Sequence, residues 1–224
     1  MRPWPPDAPV RRLAIGPVLL GRPVPFRGGE RSAIAKRPAA GPVALGRLGL
    51  EGDEQADKVH HGGPDMAVHH YPYDHYPFWE VALGGHDLLA APGAFGENIS
   101  TVGLTEGEAC IGDRFRLGTA LVEISQGRQP CWKIDHKFQR KGITARVVQT
   151  GRCGWYYRVL EPGTLSEGDG LELVERGHGE WSVERVFALL VRGRPAEHGE
   201  LEELAALPAL CEEWRGRAAK RAGF

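Results

Sequence analysis

The chain is short of the features that usually announce a function. It has four cysteines in 224 residues (Cys110, Cys131, Cys153 and Cys211), and no two of them form a C-x-x-C pair. That argues against a zinc ribbon or a thioredoxin-type redox pair and suggests reduced thiols in a cytoplasmic protein. No apolar run approaches the ~18 residues that a membrane-spanning helix needs. The opening MRPWPPDAPVRRLAIG has no long apolar stretch, so neither a signal peptide nor an anchor is expected. There is no dinucleotide-binding glycine fingerprint, no evident flavin site and no internal repeat. The net charge is only -1, so no overall field favours nucleic acid or an anionic membrane.

Glycine and proline are plentiful, at 31 and 17 residues. They cut the first three quarters of the chain into short apolar or β-branched segments: LAIGPVLL, GPVALGRLGL, ACIGDRFRLG, ALVEIS, WYYRVL and GLELVE. Many short strands joined by glycine-rich turns predict a mainly β fold, a barrel or a strongly bent sheet. Two helices interrupt it, over Tyr73 to Leu83 and near Thr144 to Gln149. The end of the chain changes character. Ser182 is a good N-cap, and Val183, Val186, Phe187, Leu190 and Val191 recur at helical spacing before Gly193 and Pro195. A second helix carries Leu201, Leu204 and Ala205. A third starts near Pro208, with Leu210, Cys211 and Trp214 facing inward. The expected organisation is a β domain over residues 1–177 and a small three-helix module over 178–224. From His178 onward there are eight acidic and seven basic residues, a balance that argues against nucleic-acid binding by the module.

Three stretches carry chemistry. GLEGDEQADKVHHGGPDMAVHHYPYDHYPFW holds His60, His61, His69, His70 and His75 with Asp53, Asp57, Asp65 and Asp74. The spacing fits no standard metal-ligand pattern, and adjacent histidines on a strand point to opposite faces. HGGP instead reads as a tight turn whose backbone amides approach a ligand, with one histidine beside it. In GAFGENIS, Asn98 sits in a glycine-bracketed turn. It could read a heterocycle edge or simply hold the turn. SQGRQPCWKI places Cys131 at a strand-to-loop junction beside Arg128, Gln129 and Lys133. Nearby cations favour the thiolate, which ligates soft metals or attacks electrophiles. Cys110 and Cys211, in apolar patterns, fit inert buried thiols better. From Arg128 to Arg158 there are eight basic residues against Asp135 alone, so this stretch is +7 and the rest of the chain -8. Such a region suits an anionic ligand, though it is equally the pattern of a solvated face.

Taken in order, GLEGDEQAD, HHGGPD, HYPFW, GAFGENIS, IGDRFRLG, SQGRQPCWKI and GRCGWYYRVL resemble the motifs of MOSC-domain proteins of the YiiM type, and WSVERVFALLV resembles the three-helix module that such proteins carry. The resemblance spans roughly Gly16 to Gly216. It implies a MOSC β-barrel that binds molybdenum cofactor, a molybdopterin bearing a phosphate, with Cys131 as metal ligand and catalytic residue. It also implies that Lys36, His61, Asn98, Arg128 and Gln129 help to form the cofactor pocket. The family often has a small residue other than cysteine where this chain has Cys153. The implied activity is reduction of N-hydroxylated compounds to amines, with N-hydroxylated bases such as 6-hydroxylaminopurine as substrates to be detoxified. A separate reductase would supply electrons, and a homodimer remains open. A carrier of sulfur or of the cofactor, using a Cys131 persulfide or thiolate, is the alternative.

Overall fold

The computed structural model describes residues 12–54, 62–197 and 199–224. Its centre is a six-stranded antiparallel sheet curled into a half-barrel. Across the sheet the strands run Arg12–Ala14, Gly170–Glu175, Arg114–Leu117, Ala120–Gly127, Trp155–Glu161 and Val68–His70. Alternation makes it one-sided in the Arg114–Leu117 strand, where Phe115 and Leu117 are buried and Arg114 and Arg116 are not. The long strand Ala120–Gly127 is buried along most of its length, because the sheet covers one side and helices the other. Register shifts between Leu121 and Val122, and between Ile124 and Gln126, mark bulges that bend it. A smaller three-stranded sheet joins Val43–Gly46, Gly49–Leu50 and Gly163–Leu165.

The helix expected over Tyr73 to Leu83 is a 3-10 turn, Tyr73–His75, continued by the α-helix Tyr76–Leu83. The one expected near Thr144 to Gln149 is Ile143–Thr150. A further short helix, Lys133–Lys137, was not read from the sequence. The expected LAIGPVLL strand is broken into Arg12–Ala14 and Leu19–Leu20 around Gly16 and Pro17.

The C-terminal helices are Val183–Leu190, Glu200–Ala206 and Glu212–Ala222. The Ser182 hydroxyl accepts from the Arg185 amide at 3.2 Å and caps the first. Its buried face is Val183, Val186, Phe187 and Leu189, with Leu190 only half-buried. The third begins at Glu212, four residues later than Pro208, and buries Trp214. The module shares one apolar core with the sheet. The contact is close at Gly127, where an added Cβ would lie 3.1 Å from Trp214, 3.3 Å from Val183 and 3.5 Å from Phe187. The Cys211 amide donates to the Ser125 carbonyl at 3.0 Å, and its thiol to the side chain of Gln126. The module therefore braces residues 125–127, the lead into Arg128 and Cys131. No helix among the described residues is long and apolar enough to cross a membrane.

Candidate cofactor and active site

Cys131 lies in the loop between the strand end at Gly127 and the helix Lys133–Lys137. Proline precedes it, and two bonds hold its carbonyl, from the Ile134 amide at 3.1 Å and the Thr144 hydroxyl at 3.2 Å. Asp135 closes the same loop. Its carboxylate accepts from the Thr144 amide at 2.6 Å and hydroxyl at 2.7 Å, and from the Gly142 amide at 2.9 Å. Burial works to raise its pKa, but these bonds outweigh it and the net direction is down. None of the four cysteines is in a disulfide; Cys110, Cys153 and Cys211 are buried, and Cys131 is half-buried. Burial pushes the Cys110 thiol up to about 11 and that of Cys211 up to about 12, and burial with Glu106 also raises Cys153 well above its ordinary value. Cys131 is the least buried of the four cysteines.

Arg128 is 6% exposed. Its amide donates to the Gly154 carbonyl at 3.0 Å, and its guanidinium lies close enough to Tyr156 to act on that phenol. Among the described residues it forms no ion pair. Burial raises the Tyr156 pKa, Arg128 opposes this, and Cys131 and Asp53 add to it, so all three groups lie within electrostatic reach of the phenol. Lys36 and Asp53 form a buried pair, with Nζ 2.5 and 2.6 Å from the two carboxylate oxygens. Burial lowers the Lys36 pKa against the pull of Asp53. Asp53 also accepts from the Gly21 amide at 2.7 Å and from Asn98 Nδ2 at 2.8 Å. Lys137, which the sequence reading did not single out for the site, donates to the carbonyls of Ile34, at 3.0 Å, and Gly93. Burial lowers its pKa to about 8; Glu97 opposes this, and Lys36 and Arg128 add to it.

Asn98 is fully committed to protein. Its side-chain oxygen accepts from the His69 amide at 3.0 Å, and Nδ2 donates to the Leu19 carbonyl at 3.0 Å as well as to Asp53. It acts on the site by aiming Asp53, and so ties three distant segments together. Glu97, fully buried, fixes the same turn by accepting from the Gly93 amide at 2.6 Å and the Phe95 amide at 3.0 Å. Gln129 is exposed beside Cys131. His61 lies outside the described residues. Trp132 is 41% exposed, and its ring is 5.9 Å from Phe26 and 6.2 Å from His136.

The structure thus brings Lys36, Asn98, Arg128 and Cys131 together and adds Asp53, Lys137, Tyr156 and His69. His69 Nε2 is buried without a hydrogen-bond partner among the described residues. A buried cation without a carboxylate and a ring nitrogen without a donor among the described residues, with a half-buried cysteine three positions from the cation, fit a polar ligand that carries both anionic and donor groups. Among the described residues there is no group of three or more His, Cys, Asp or Glu side chains that could hold a metal ion.

A curled half-barrel with these residues beyond the end of its long strand, and a helical module packed on it, defines a class. The MOSC domain model matches residues 57–172, and the YiiM-like, 3-alpha helix domain model matches residues 181–221. The chain belongs to the MOSC-domain family, in its YiiM-like form. It is 46% identical over 194 residues to YflK of Bacillus subtilis (strain 168), covering 85% of this chain and 84% of that protein. It is 40% identical over 205 residues to Protein YiiM of Escherichia coli (strain K12), covering 91% and 90%. A protein named Reductase from Gibberella moniliformis (strain M3125 / FGSC 7600) is 40% identical over 183 residues, which make up 81% of this chain but 32% of that one. The crystal structure of YiiM from Geobacillus stearothermophilus superposes with a TM-score of 0.77 at 35% identity, covering 92% of this chain and 98% of that chain.

Proposed function

We propose that the protein is a molybdenum cofactor-dependent reductase that converts N-hydroxylated compounds to amines. The observation that carries the reading is Arg128, a buried guanidinium without a carboxylate among the described residues, three positions from an accessible thiol. MOSC domains are associated with molybdenum cofactor, and a relative is named a reductase. Cys131 is the metal ligand, and its loop is pinned so that the sulfur is presented in one place. Arg128 is the first partner for the cofactor phosphate, as a charge-assisted donor with capacity to spare. Lys36 already faces Asp53, so it shapes the field more than it binds. Lys137, with its pKa near 8, can hold or release a proton close to neutral pH. When bound, the cofactor supplies two electrons which, with two protons, turn R–NH–OH into R–NH2 and water. Trp132 offers an aromatic face beside Cys131, and this favours planar heteroaromatic substrates such as N-hydroxylated purines. A separate reductase delivers the electrons in the cytoplasm.

The test is metal and pterin analysis of protein purified from a host that makes the cofactor, with turnover of 6-hydroxylaminopurine driven by a viologen reductant. One molybdenum and one pterin per chain, with formation of adenine, is the expected result. Protein with sulfane sulfur on Cys131 and no pterin would instead establish the carrier.

A further inference from the structure

His69 and His70 are neighbours on one strand, and both are buried, at 3% and 0% exposure. Only one is complete. The nitrogens of His70 lie 3.0 Å from the Tyr157 hydroxyl and 3.0 Å from the Thr101 hydroxyl. His69 Nε2 has no hydrogen-bond partner among the described residues. Successive side chains on a strand leave from opposite faces, so His69 turns away from the Tyr157 side and toward Tyr156, 5.0 Å between ring centroids.

The surroundings define what Nε2 lacks. Burial keeps the ring neutral, and the nearby cations Arg128 and Lys36 add to that effect. The Gly96 carbonyl lies against the imidazole and favours a proton on the nitrogen that faces it. Nε2 then presents a lone pair. An added Cβ at Gly154 would lie 3.3 Å from that nitrogen and 2.3 Å from the His70 carbonyl oxygen, and its φ of +68° also favours glycine. A lone pair repels an anionic oxygen and seeks an N–H or O–H. Arg128, within electrostatic reach of the ring, has the opposite preference.

We propose that His69 Nε2 is the acceptor for an N–H or O–H donor of the bound ligand, either the pterin edge of the cofactor or the hydroxyl of an N-hydroxylated substrate. The inference rests on the function proposed above. It divides the site in two, with anionic oxygens at Arg128 and a neutral donor at His69.

Two variants test it, His69→Leu, which removes the acceptor, and His69→Gln, which restores one. Pterin content per chain is measured after gel filtration, KM for 6-hydroxylaminopurine is measured per pterin, and melting is followed on cofactor-free protein. A three- to tenfold loss in His69→Leu is expected, roughly the effect of one neutral hydrogen bond, with substantial recovery in His69→Gln. If pterin content carries the loss, the donor is the cofactor edge; if content holds and KM rises, it is the substrate hydroxyl. Cofactor-free His69→Leu should melt at or above the wild-type temperature, because it no longer buries an unpaired nitrogen. Unchanged pterin content and KM in His69→Leu overturn the proposal. So does a large drop in melting temperature that His69→Gln does not rescue, since His69 would then be structural. Wild-type protein that carries no pterin contradicts the function itself, and His69's role with it.

Discussion

Glu200 in the helical module and Arg128 beside the sheet are both buried charges, 5% and 6% exposed. Glu200 is enclosed by partners. It accepts from Arg185 at 2.7 and 3.1 Å, from Arg194 at 2.6 and 2.8 Å and from the Glu197 amide at 2.7 Å. Burial works to raise its pKa, but these bonds outweigh it and the net direction is down. Arg128 has Tyr156 and, among the described residues, no carboxylate. Burying a charge is costly unless it is paired. A closed network explains itself by stability. An open one, three positions from the half-buried Cys131, fits the ligand proposed above.

The largest test of that contrast removes the closed region. Deleting residues 178–224 uncovers Gly127 and the apolar positions packed on it, including the partners of Val183, Phe187 and Trp214. The truncated protein is expected to aggregate or change its assembly state, read by size-exclusion chromatography with light scattering. A soluble barrel with unchanged mass and normal turnover would show that the module does not brace the site.

Arg128→Met comes next. Loss of a charge-assisted bond of about 1.5–3 kcal/mol weakens cofactor binding by ten- to a hundredfold. Cofactor-free protein should melt as high as the wild type or higher, since a buried ion gives way to an apolar chain of similar length. Pterin content and calorimetry check both parts. A variant that loses stability but keeps its pterin would invert the comparison.

Acid sharpens it further. Burial lowers the His70 pKa to about 3 from an ordinary 6.5. Between those values the unfolded chain binds a proton that the folded chain does not, so stability falls as pH falls through this window. The slope from one such group is about 1.4 kcal/mol per unit. His69, also lowered, acts in the same direction. Denaturant midpoints measured from pH 7 to pH 4 should drop steeply in the wild type and less so in His70→Gln. Equal slopes would remove His70 from the account.

The smallest effect is at Glu200. Glu200→Ala releases Arg185 and Arg194, which are 38% and 35% exposed at their side chains and regain water. A loss of about 1 kcal/mol is expected by urea unfolding, with pterin content unchanged.

Much of this was legible in the sequence, and the reason differs by region. The module could be read because helix faces repeat locally: the Ser182 cap and the Val183, Val186 and Phe187 stripe lie within six residues. Arg128 and Cys131 could be read because both fall in one short motif. The Lys36–Asp53 pair was not visible, since its members are 17 residues apart and meet only in the fold, where Gly21 and Asn98 also hold Asp53. Lys137 was counted as one charge of a basic run; its place in the site depends on carbonyls at Ile34 and Gly93. The signal for His69 was present but ambiguous, because His-His on a strand tells only that the two differ. Which one is left without a partner is decided by Tyr157 and Thr101.

In the proposed function Cys131 holds a cofactor-borne metal through its thiolate, and Cys131→Ser removes that ligand while leaving the loop nearly isosteric. The measurement is molybdenum per chain by elemental analysis, on wild type and variant purified side by side from a cofactor-competent host. About one molybdenum is expected in the wild type, almost none in Cys131→Ser, no reduction of 6-hydroxylaminopurine by the variant, and melting temperatures that agree closely for the two cofactor-free proteins. A folded Cys131→Ser protein that keeps its molybdenum and turns over at the wild-type rate would contradict that function.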